Sequence, residues 1–236
     1  MENISHQILP LTDLDIVLIL HKSWVHDKTR GKQANLRFAN LQSADLRDAD
    51  LYGADLHDAD LTGADLRSAI LMGVNLQNAN LTGANLQGAN LTGADLHGTK
   101  LRGANLQVGI LQDANLEGAD LRDAILQDAN LTGANLQGAD LQVANLRRAN
   151  LRDANLREAN LEGANLRRAN LQGAKLEGAD LREIDLRFAN LTRADLQGAD
   201  LRSANLEKCV LCDTYLDSVL IFYREKKCKI RFEILD

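Results

Sequence analysis

Cysteine and histidine are the side chains of this sequence that could bind a metal ion or carry out redox or proton-transfer chemistry. Cys209 and Cys212 are spaced as C-x-x-C, which is typical of metal-binding and thiol–disulfide sites. The chain has five histidines, of which His57 and His97 occupy equivalent places in a repeated pattern. Whether any of these side chains can meet depends on the structural elements that carry them.

A leucine occurs at every fifth position from Leu36 to Leu216, which gives 37 leucines without an interruption. Alanine stands two positions before the leucine at 31 of the 35 sites between residues 34 and 204. Asp or Asn stands directly before it at 30 of the 35 sites between residues 35 and 205. Such self-similarity at a fixed period indicates a repeat architecture.

A period of five fits neither a long helix nor a long strand. In an α-helix successive leucines would advance by about 500° and spiral around the surface, and in one strand they would alternate between the two faces. A three-residue strand followed by a turn solves the problem, because Ala and Leu then point inward while Asp or Asn points outward. We therefore expect a β-solenoid with a corner every five residues.

The two variable residues of each unit form the corner. Pairs such as Thr62-Gly63 place glycine where a type II turn needs a positive φ. Where Asp48, Ser68 or Arg148 takes the place of glycine, we expect other turn types.

This register separates the two cysteines. Cys209 takes an inward alanine position and Cys212 an outward corner position, so we expect a core residue and a surface thiol. The repeats contain no serine–histidine pairing, no phosphate-binding glycine loop and no insertion long enough to form a pocket. Because enzymes need a concave site that excludes water, we expect no catalytic residue, no cofactor and no metal site.

The repeated units resemble those of the pentapeptide-repeat family over residues 34–218. The resemblance implies an all-β solenoid, namely a right-handed quadrilateral parallel β-helix with twenty residues per coil. About nine coils then give a rod of roughly 45 Å. In such a rod His57 and His97 lie two coils apart, about 10 Å, which is too far to share a metal ion.

The segments at the two ends break the pattern. Residues 1–33 are expected to form a short helical cap and a linker, and His21-Lys22-Ser23-Trp24 resembles a lead-in found in some family members. The helix should cover residues 13–25, and the side chains expected to cover the first coil are Leu14, Val17, Leu18, Leu20 and Trp24. Residues 219–236 are expected to form a β-rich tail. The tail either caps the last coil or joins two rods, so the protein is a monomer or an end-to-end homodimer.

No segment suggests a membrane or an export route. The apolar run from Ile16 to Leu20 is too short to span a bilayer. Acidic residues near the N-terminus are unlike a secretory signal, and three cysteines make no disulfide framework. These features favour a cytoplasmic location without membrane binding.

Side chains twenty residues apart are stacked in columns if each coil has four sides. One column holds carboxylates that could imitate the backbone charge of a nucleic acid, namely Asp120, Asp140, Asp180 and Asp200. Some pentapeptide-repeat proteins are thought to mimic DNA and to bind type II topoisomerases. Much of this charge is expected to be cancelled by arginines two residues further on, namely Arg122, Arg182 and Arg202. The sequence also lacks the phenylalanine-rich centre, the interrupting loop and the C-terminal helix that such members tend to have.

A second set of stacked positions is basic and comprises Arg147, Arg148, Arg167, Arg168 and Arg187. A basic stripe can bind phosphates. Acidic residues are interleaved here, however, no aromatic residue is available for base stacking, and the net charge of the chain is −6. We therefore expect no direct binding of nucleic acid, and we expect a protein that docks on the rod to use this cluster, because arginine is enriched in interface hot spots.

The sequence as a whole predicts a non-enzymatic rod that presents a rigid surface to another protein, whose identity the sequence does not give. Two alternatives stay open. The protein could be a DNA-mimicking regulator of a type II topoisomerase or of another DNA-binding protein, or it could be a simple spacer.

Overall fold

The computed structural model describes residues 11–219 and their side chains from residue 14 onward. The described chain begins with one α-helix, α1 (Leu11–His26), and continues as a solenoid from residue 34. The helix expected over residues 13–25 is confirmed, with two more residues at its start and one at its end. Among the described residues, no helix has the length and apolar character needed to cross a membrane.

The solenoid is a quadrilateral parallel β-helix. The residue before each central leucine forms a parallel bridge with the residue twenty positions later, from Asn35 with Asp55 to Asp195 with Tyr215. Each strand is therefore reduced to a single bridged residue flanked by the inward alanine and leucine. Because bridges recur every five residues, each coil of twenty residues has four sides.

Hydrogen bonds between successive coils hold the rod together. On the side centred on Leu56, the Leu56 N–H donates to the Asn75 carbonyl at 2.8 Å, and the Asn75 N–H donates to the Ala54 carbonyl at 3.0 Å. At the corner, the Asp58 N–H donates to the Gln77 carbonyl at 3.0 Å. The same pattern recurs along the rod, so the ladder fixes the corners as well as the strands.

The core is a narrow column of alanine and leucine. Every central leucine from Leu36 to Leu206 is buried, and each contributes roughly 1.5–3 kcal/mol of burial free energy. Between residues 34 and 204, the inward alanine position holds another residue at Val74, Thr99, Gly109 and Ile184. The buried Thr99 hydroxyl donates a hydrogen bond to the Leu76 carbonyl at 2.9 Å, so this polar group is satisfied inside the core.

All 37 corners adopt the same backbone conformation. The second residue after each central leucine has a φ between 52° and 69°, and twenty-two of these residues are not glycine. The expectation that Asp48, Ser68 and Arg148 use other turn types is wrong, because their φ values are 56°, 57° and 62°. At these three corners the N–H donates to a carbonyl of the next coil at 3.0 Å, and this ladder holds the conformation although the residue is not glycine.

Helix α1 covers the N-terminal end of the rod. The side chains that pack against the first coil are Leu14, Val17 and Leu18. Leu20 is 42% exposed, so the prediction that it covers this coil is wrong. The fully buried side chain is instead His21, whose Nδ1 accepts a hydrogen bond from the Ala34 N–H at 3.0 Å. The cap thereby satisfies a backbone donor at the open end of the solenoid.

Burial decreases along the last described coil. Leu211 and Leu216 are partly exposed, and a small cavity opens among the central leucines between Leu186 and Leu216. The predicted capping or dimerising tail covers residues 219–236, of which only Val219 lies within the described residues. Both alternatives for the tail therefore stay predictions.

Candidate functional site

The four sides of the rod differ in their outward side chains, although their backbones are alike. We number the sides by their first central leucine, with the first at Leu36, the second at Leu41, the third at Leu46 and the fourth at Leu51. Over residues 34–219 the net charges of these sides are −5, −3, +2 and −2, respectively. Within the described solenoid, only the third side is positively charged.

The positive charge of the third side is concentrated towards the C-terminal end of the rod. We call this surface the arginine face, and it consists of Arg147, Arg148, Arg167, Arg168 and Arg187. Bridges of Asn145 with Asn165 and of Asn165 with Asp185 place these arginines in three successive coils. From residue 145 to residue 208 the third side carries six basic and two acidic side chains.

Three arginines of this face form no close ion pair, although the pKa of the Asp185 carboxyl is lowered by the hydrogen bond from Arg187 and also by the charge of Arg167. Within the described residues, no Asp or Glu oxygen lies within 4.0 Å of the guanidinium groups of Arg147, Arg167 or Arg168. All other described arginines have such a partner. The Nε–H of Arg167 is also buried without a hydrogen-bond acceptor in the described part of the chain. A partly desolvated guanidinium favours a ligand that supplies an acceptor.

The residue two positions earlier decides whether an arginine finds a carboxylate within its own unit. Arginines that follow Asn-Leu can still pair elsewhere, as Arg37, Arg152 and Arg157 do. Arg147 and Arg167 have neither kind of partner within 4.0 Å. In an Asp-Leu-Arg unit the arginine folds back onto the aspartate, as Arg187 does onto Asp185 at 2.6 Å. Asparagine replaces this aspartate before Arg147 and Arg167. The Asn145 side-chain oxygen accepts a hydrogen bond from the Arg147 backbone N–H at 3.2 Å, but it carries no charge to hold the guanidinium.

An aromatic ring lies among these cations. The guanidinium carbons of Arg167 and Arg168 lie 5.6 Å and 5.7 Å from the ring centroid of Phe188, and the Lys208 Nζ lies 5.3 Å from it. The prediction that no aromatic residue accompanies the arginines is therefore wrong. The period of twenty residues places Phe188 directly after Arg168 in the corner column, and this signal was present in the sequence.

The acidic column lies on the second side and is paired with arginine. Asp120, Asp180 and Asp200 each form an ion pair with the arginine two residues further on, for example at 2.6 Å between Asp120 and Arg122. Asp140 lies 3.6 Å from Arg122. Hydrogen bonds from these arginines hold the pKa values of Asp120, Asp180 and Asp200 below the usual 3.8. These carboxylates are thus ionised, and their charge is locally balanced.

A family model for pentapeptide repeats matches the chain in eight copies, over residues 32–67, 69–107, 110–142, 144–182 and 179–217. The chain belongs to the pentapeptide-repeat family. Its fold is the right-handed quadrilateral β-helix that the resemblance implied.

Solved structures of other pentapeptide-repeat proteins are similar to this one. HetL, involved in heterocyst differentiation regulation in the cyanobacterium Nostoc sp. strain PCC 7120, is 35% identical over 92% of this chain and 98% of HetL, with a TM-score of 0.68. QnrB1, a plasmid-mediated fluoroquinolone resistance protein, is 22% identical over 80% of this chain and 90% of QnrB1, with a TM-score of 0.43. Rfr23 from the cyanobacterium Cyanothece 51142 is 31% identical over 52% of this chain and 91% of Rfr23, with a TM-score of 0.29. Among curated protein sequences, none matches significantly.

The pentapeptide-repeat rod keeps the cysteines and histidines in separate surroundings. Cys209 packs partly against the core, and Cys212 is exposed. The His57 Nε2 lies 2.9 Å from an Asp58 carboxylate oxygen, so this ring makes a contact at its own corner. Within the described residues, no group of three or more His, Cys, Asp and Glu side chains could hold a metal ion.

Proposed function

We propose that this pentapeptide-repeat protein is a non-enzymatic scaffold that binds another protein through the arginine face. The observation that carries the proposal is the set of unpaired guanidinium groups of Arg147, Arg167 and Arg168. Because the other described arginines already have a carboxylate partner, these three have charged donors to offer to an incoming protein.

The rigidity of the rod supports such a function. The backbone of the arginine face is fixed by the ladder, for example by the Arg148 N–H, which donates to the Arg167 carbonyl at 3.0 Å. A partner that docks here orders little additional backbone, so less conformational entropy is lost on binding. Arginine and aromatic side chains are also enriched in interface hot spots, and this surface combines them at Arg168 and Phe188.

The similarity to HetL supports a regulatory scaffold. HetL is involved in the regulation of heterocyst differentiation, and the two chains align over nearly their whole lengths. We propose that this protein acts on its partner by binding and not by catalysis. We place it in the cytoplasm, because a chain with only three cysteines and no disulfide framework is typical of a reducing compartment.

The geometry gives less support to a DNA-mimicking regulator. A mimic needs carboxylates that can meet the basic surface of a DNA-binding enzyme. Here Asp120, Asp180 and Asp200 are already held by their own arginines, and Asp140 lies close to Arg122. A partner would first have to displace those arginines, so we favour the arginine face.

Partner capture with charge-reversed rods tests this choice. The purified protein is immobilised, exposed to a nuclease-treated lysate of the organism that encodes it, and the retained proteins are quantified by mass spectrometry. The test variant carries Arg147→Glu, Arg167→Glu and Arg168→Glu. It should fold, because the chain already has glutamate at equivalent unit positions, namely at Glu162, Glu177, Glu158 and Glu183. The matched control changes the net charge equally on other sides and carries Arg102→Glu, Arg152→Glu and Arg193→Glu.

A second variant leaves every arginine in place. Asn145→Asp and Asn165→Asp recreate the Asp-Leu-Arg unit, so Arg147 and Arg167 should fold back onto the new carboxylates as Arg187 does onto Asp185. We expect one partner to be retained by the natural protein and by the control, and to be lost from both arginine-face variants.

A variant of the acidic column tests the DNA-mimicking alternative. Asp→Asn at residues 120, 140, 180 and 200 should fold, because asparagine already occupies this column at Asn40, Asn80 and Asn160. We expect this variant to retain the partner. A partner that survives the arginine changes and is lost from this variant would replace our proposal with the DNA-mimicking one.

A further inference from the structure

The corner column of the third side has an order that a partner must match. Along the rod axis the column runs through Arg148, Arg168, Phe188 and Lys208. Arg147 and Arg167 stand beside the first two positions. We call the outward side chains that one coil contributes to this face a rung. The third rung differs from the first two, because Arg187 is held by Asp185 at 2.6 Å and the corner position is taken by the aromatic ring of Phe188. A complementary surface therefore has two acidic rungs followed by an apolar one.

The spacing of the rungs selects the secondary structure of the partner. Successive coils lie about 4.8 Å apart. On an α-helix parallel to the rod, positions one turn apart are separated by about 5.4 Å, so the accumulated mismatch across three rungs is about 1.2 Å. Same-face residues of an extended strand lie about 6.6 Å apart, and their mismatch is about 3.6 Å. Flexible arginine side chains absorb the smaller mismatch more readily.

The backbone of the arginine face is poorly suited to a chain of phosphates. Phosphate sites commonly use free main-chain N–H groups. Here the Arg148 N–H donates to the Arg167 carbonyl at 3.0 Å, and the Arg168 N–H donates to the Arg187 carbonyl at 2.9 Å. Recognition must therefore come from the side chains, and guanidinium groups bind carboxylates with two parallel hydrogen bonds.

Apolar side chains stand at both edges of the arginine face. Phe188 is 37% exposed at one edge, and Val143 is 64% exposed at the neighbouring corner, where the second side meets the third. A purely ionic partner would leave both side chains in water. An amphipathic partner would cover them while its carboxylates meet the arginines between them.

We propose, on the basis of the proposed function, that the arginine face binds an acidic amphipathic α-helix of its partner, laid along the rod axis. Two carboxylates one helical turn apart, at i and i+3 or i+4, meet the rungs of Arg147 and Arg167. An apolar residue one turn further on packs against Phe188.

Three peptides of equal composition and length test this proposal on the full-length protein, with fluorescence anisotropy as the readout. The striped peptide is helical and carries Glu, Glu and Leu on successive turns of one face. Its isomer is equally helical, with the leucine moved to the opposite face from the glutamates. The third peptide is designed to be extended, with glutamates at alternate positions. A single-stranded oligonucleotide of equal charge serves as a fourth probe.

We expect the striped peptide to bind about tenfold more tightly than its isomer and the extended peptide, as three weak exposed contacts would give. The preference should disappear with Arg147→Glu, Arg167→Glu and Arg168→Glu. Phe188→Ser, which places a residue found at other corners such as Ser203, should reduce the preference several-fold.

Equal binding of the striped peptide and its isomer, or tighter binding of the extended peptide or the oligonucleotide, overturns the helix proposal. If the arginine-face variants still lose the captured partner in that case, the proposed function stands and only the helix is wrong. If those variants keep both the partner and the striped peptide, the proposed function fails together with this inference.

Discussion

The corners of the rod predict a specific cost for replacing glycine. Gly83, Gly118 and Gly198 have φ values of 66°, 63° and 69°. An added Cβ would meet no atom within 4 Å at any of these positions. A substitution there therefore changes the backbone energy without a clash against the rest of the fold.

The magnitude follows from two opposing terms. An L-residue in the left-handed region costs roughly 1–2 kcal/mol, whereas replacing glycine restricts the unfolded chain and stabilises the fold by about 0.4–1 kcal/mol. The net loss is about 0.5–1 kcal/mol per corner. The three corners are far apart and should be additive, so the triple alanine variant should lose roughly 1.5–3 kcal/mol.

A triple asparagine variant is the matched comparison. Asparagine and aspartate tolerate the left-handed region better than alanine does, and they already fill eight of the twenty-two non-glycine corners. Thermal unfolding followed by circular dichroism should show a melting temperature about 3–12 °C lower for the alanine variant, and a smaller decrease for the asparagine variant. An alanine variant as stable as the natural protein would refute the strain argument, and so would an asparagine variant that is the less stable of the two.

Three further predictions concern the cap, the ion pairs and the core. Burial lowers the pKa of His21 below its ordinary value of 6.5, and its neutral ring accepts a backbone N–H of the first coil. The cap should therefore be fully stable above pH 6.5 and weaken as the pH falls towards the folded-state pKa. Trp24, which stacks on His21 with ring centroids 5.5 Å apart, should report this change by fluorescence, and His21→Gln should abolish it. The hydrogen bond from Arg122 lowers the pKa of Asp120, so carbon NMR titration should show that pKa rising towards 3.8 in Arg122→Gln, and an unchanged value would contradict the pairing. Leu126→Ala leaves a cavity in a fully buried stack and should cost about 2–5 kcal/mol in urea unfolding, whereas a loss below about 1 kcal/mol would mean that the coils collapse around it.

The solenoid could be predicted from the sequence because one physical constraint repeats without interruption. Inward alanine and leucine at a period of five leave no other regular structure. The turn type could not be read in the same way, since residues such as Arg148 normally avoid a positive φ. At Arg148 the local preference is overridden within the ladder, where its N–H donates to the Arg167 carbonyl at 3.0 Å.

The cap was less predictable than the repeats because it lacks their periodicity. A helical apolar pattern suggested that Leu20 would be buried, but the ladder leaves an unpaired N–H at Ala34 that an apolar side chain cannot satisfy. His21 supplies the acceptor, and its ring is fully buried. The side of α1 that faces the rod therefore carries both apolar side chains, such as Leu14, and the acceptor that the Ala34 N–H needs.

Residue type alone does not tell which arginines of the candidate surface are available to a partner. Stacking of the basic residues follows from the period of twenty, but their availability depends on carboxylates both in their own unit and in neighbouring ones. Arg157, for example, follows Asn-Leu and pairs with Glu177 of the next coil. Where the residue two positions earlier is aspartate, as before Arg182, the charge is balanced within the unit. Where it is Asn145 or Asn165, the guanidinium has no such partner. Since the backbone is the same on all four sides, removing the carboxylates around an arginine, both in its own unit and in its neighbours, can create a binding surface without altering the rod. On the proposed function, the selectivity of this protein then lies in the pairing of its arginines.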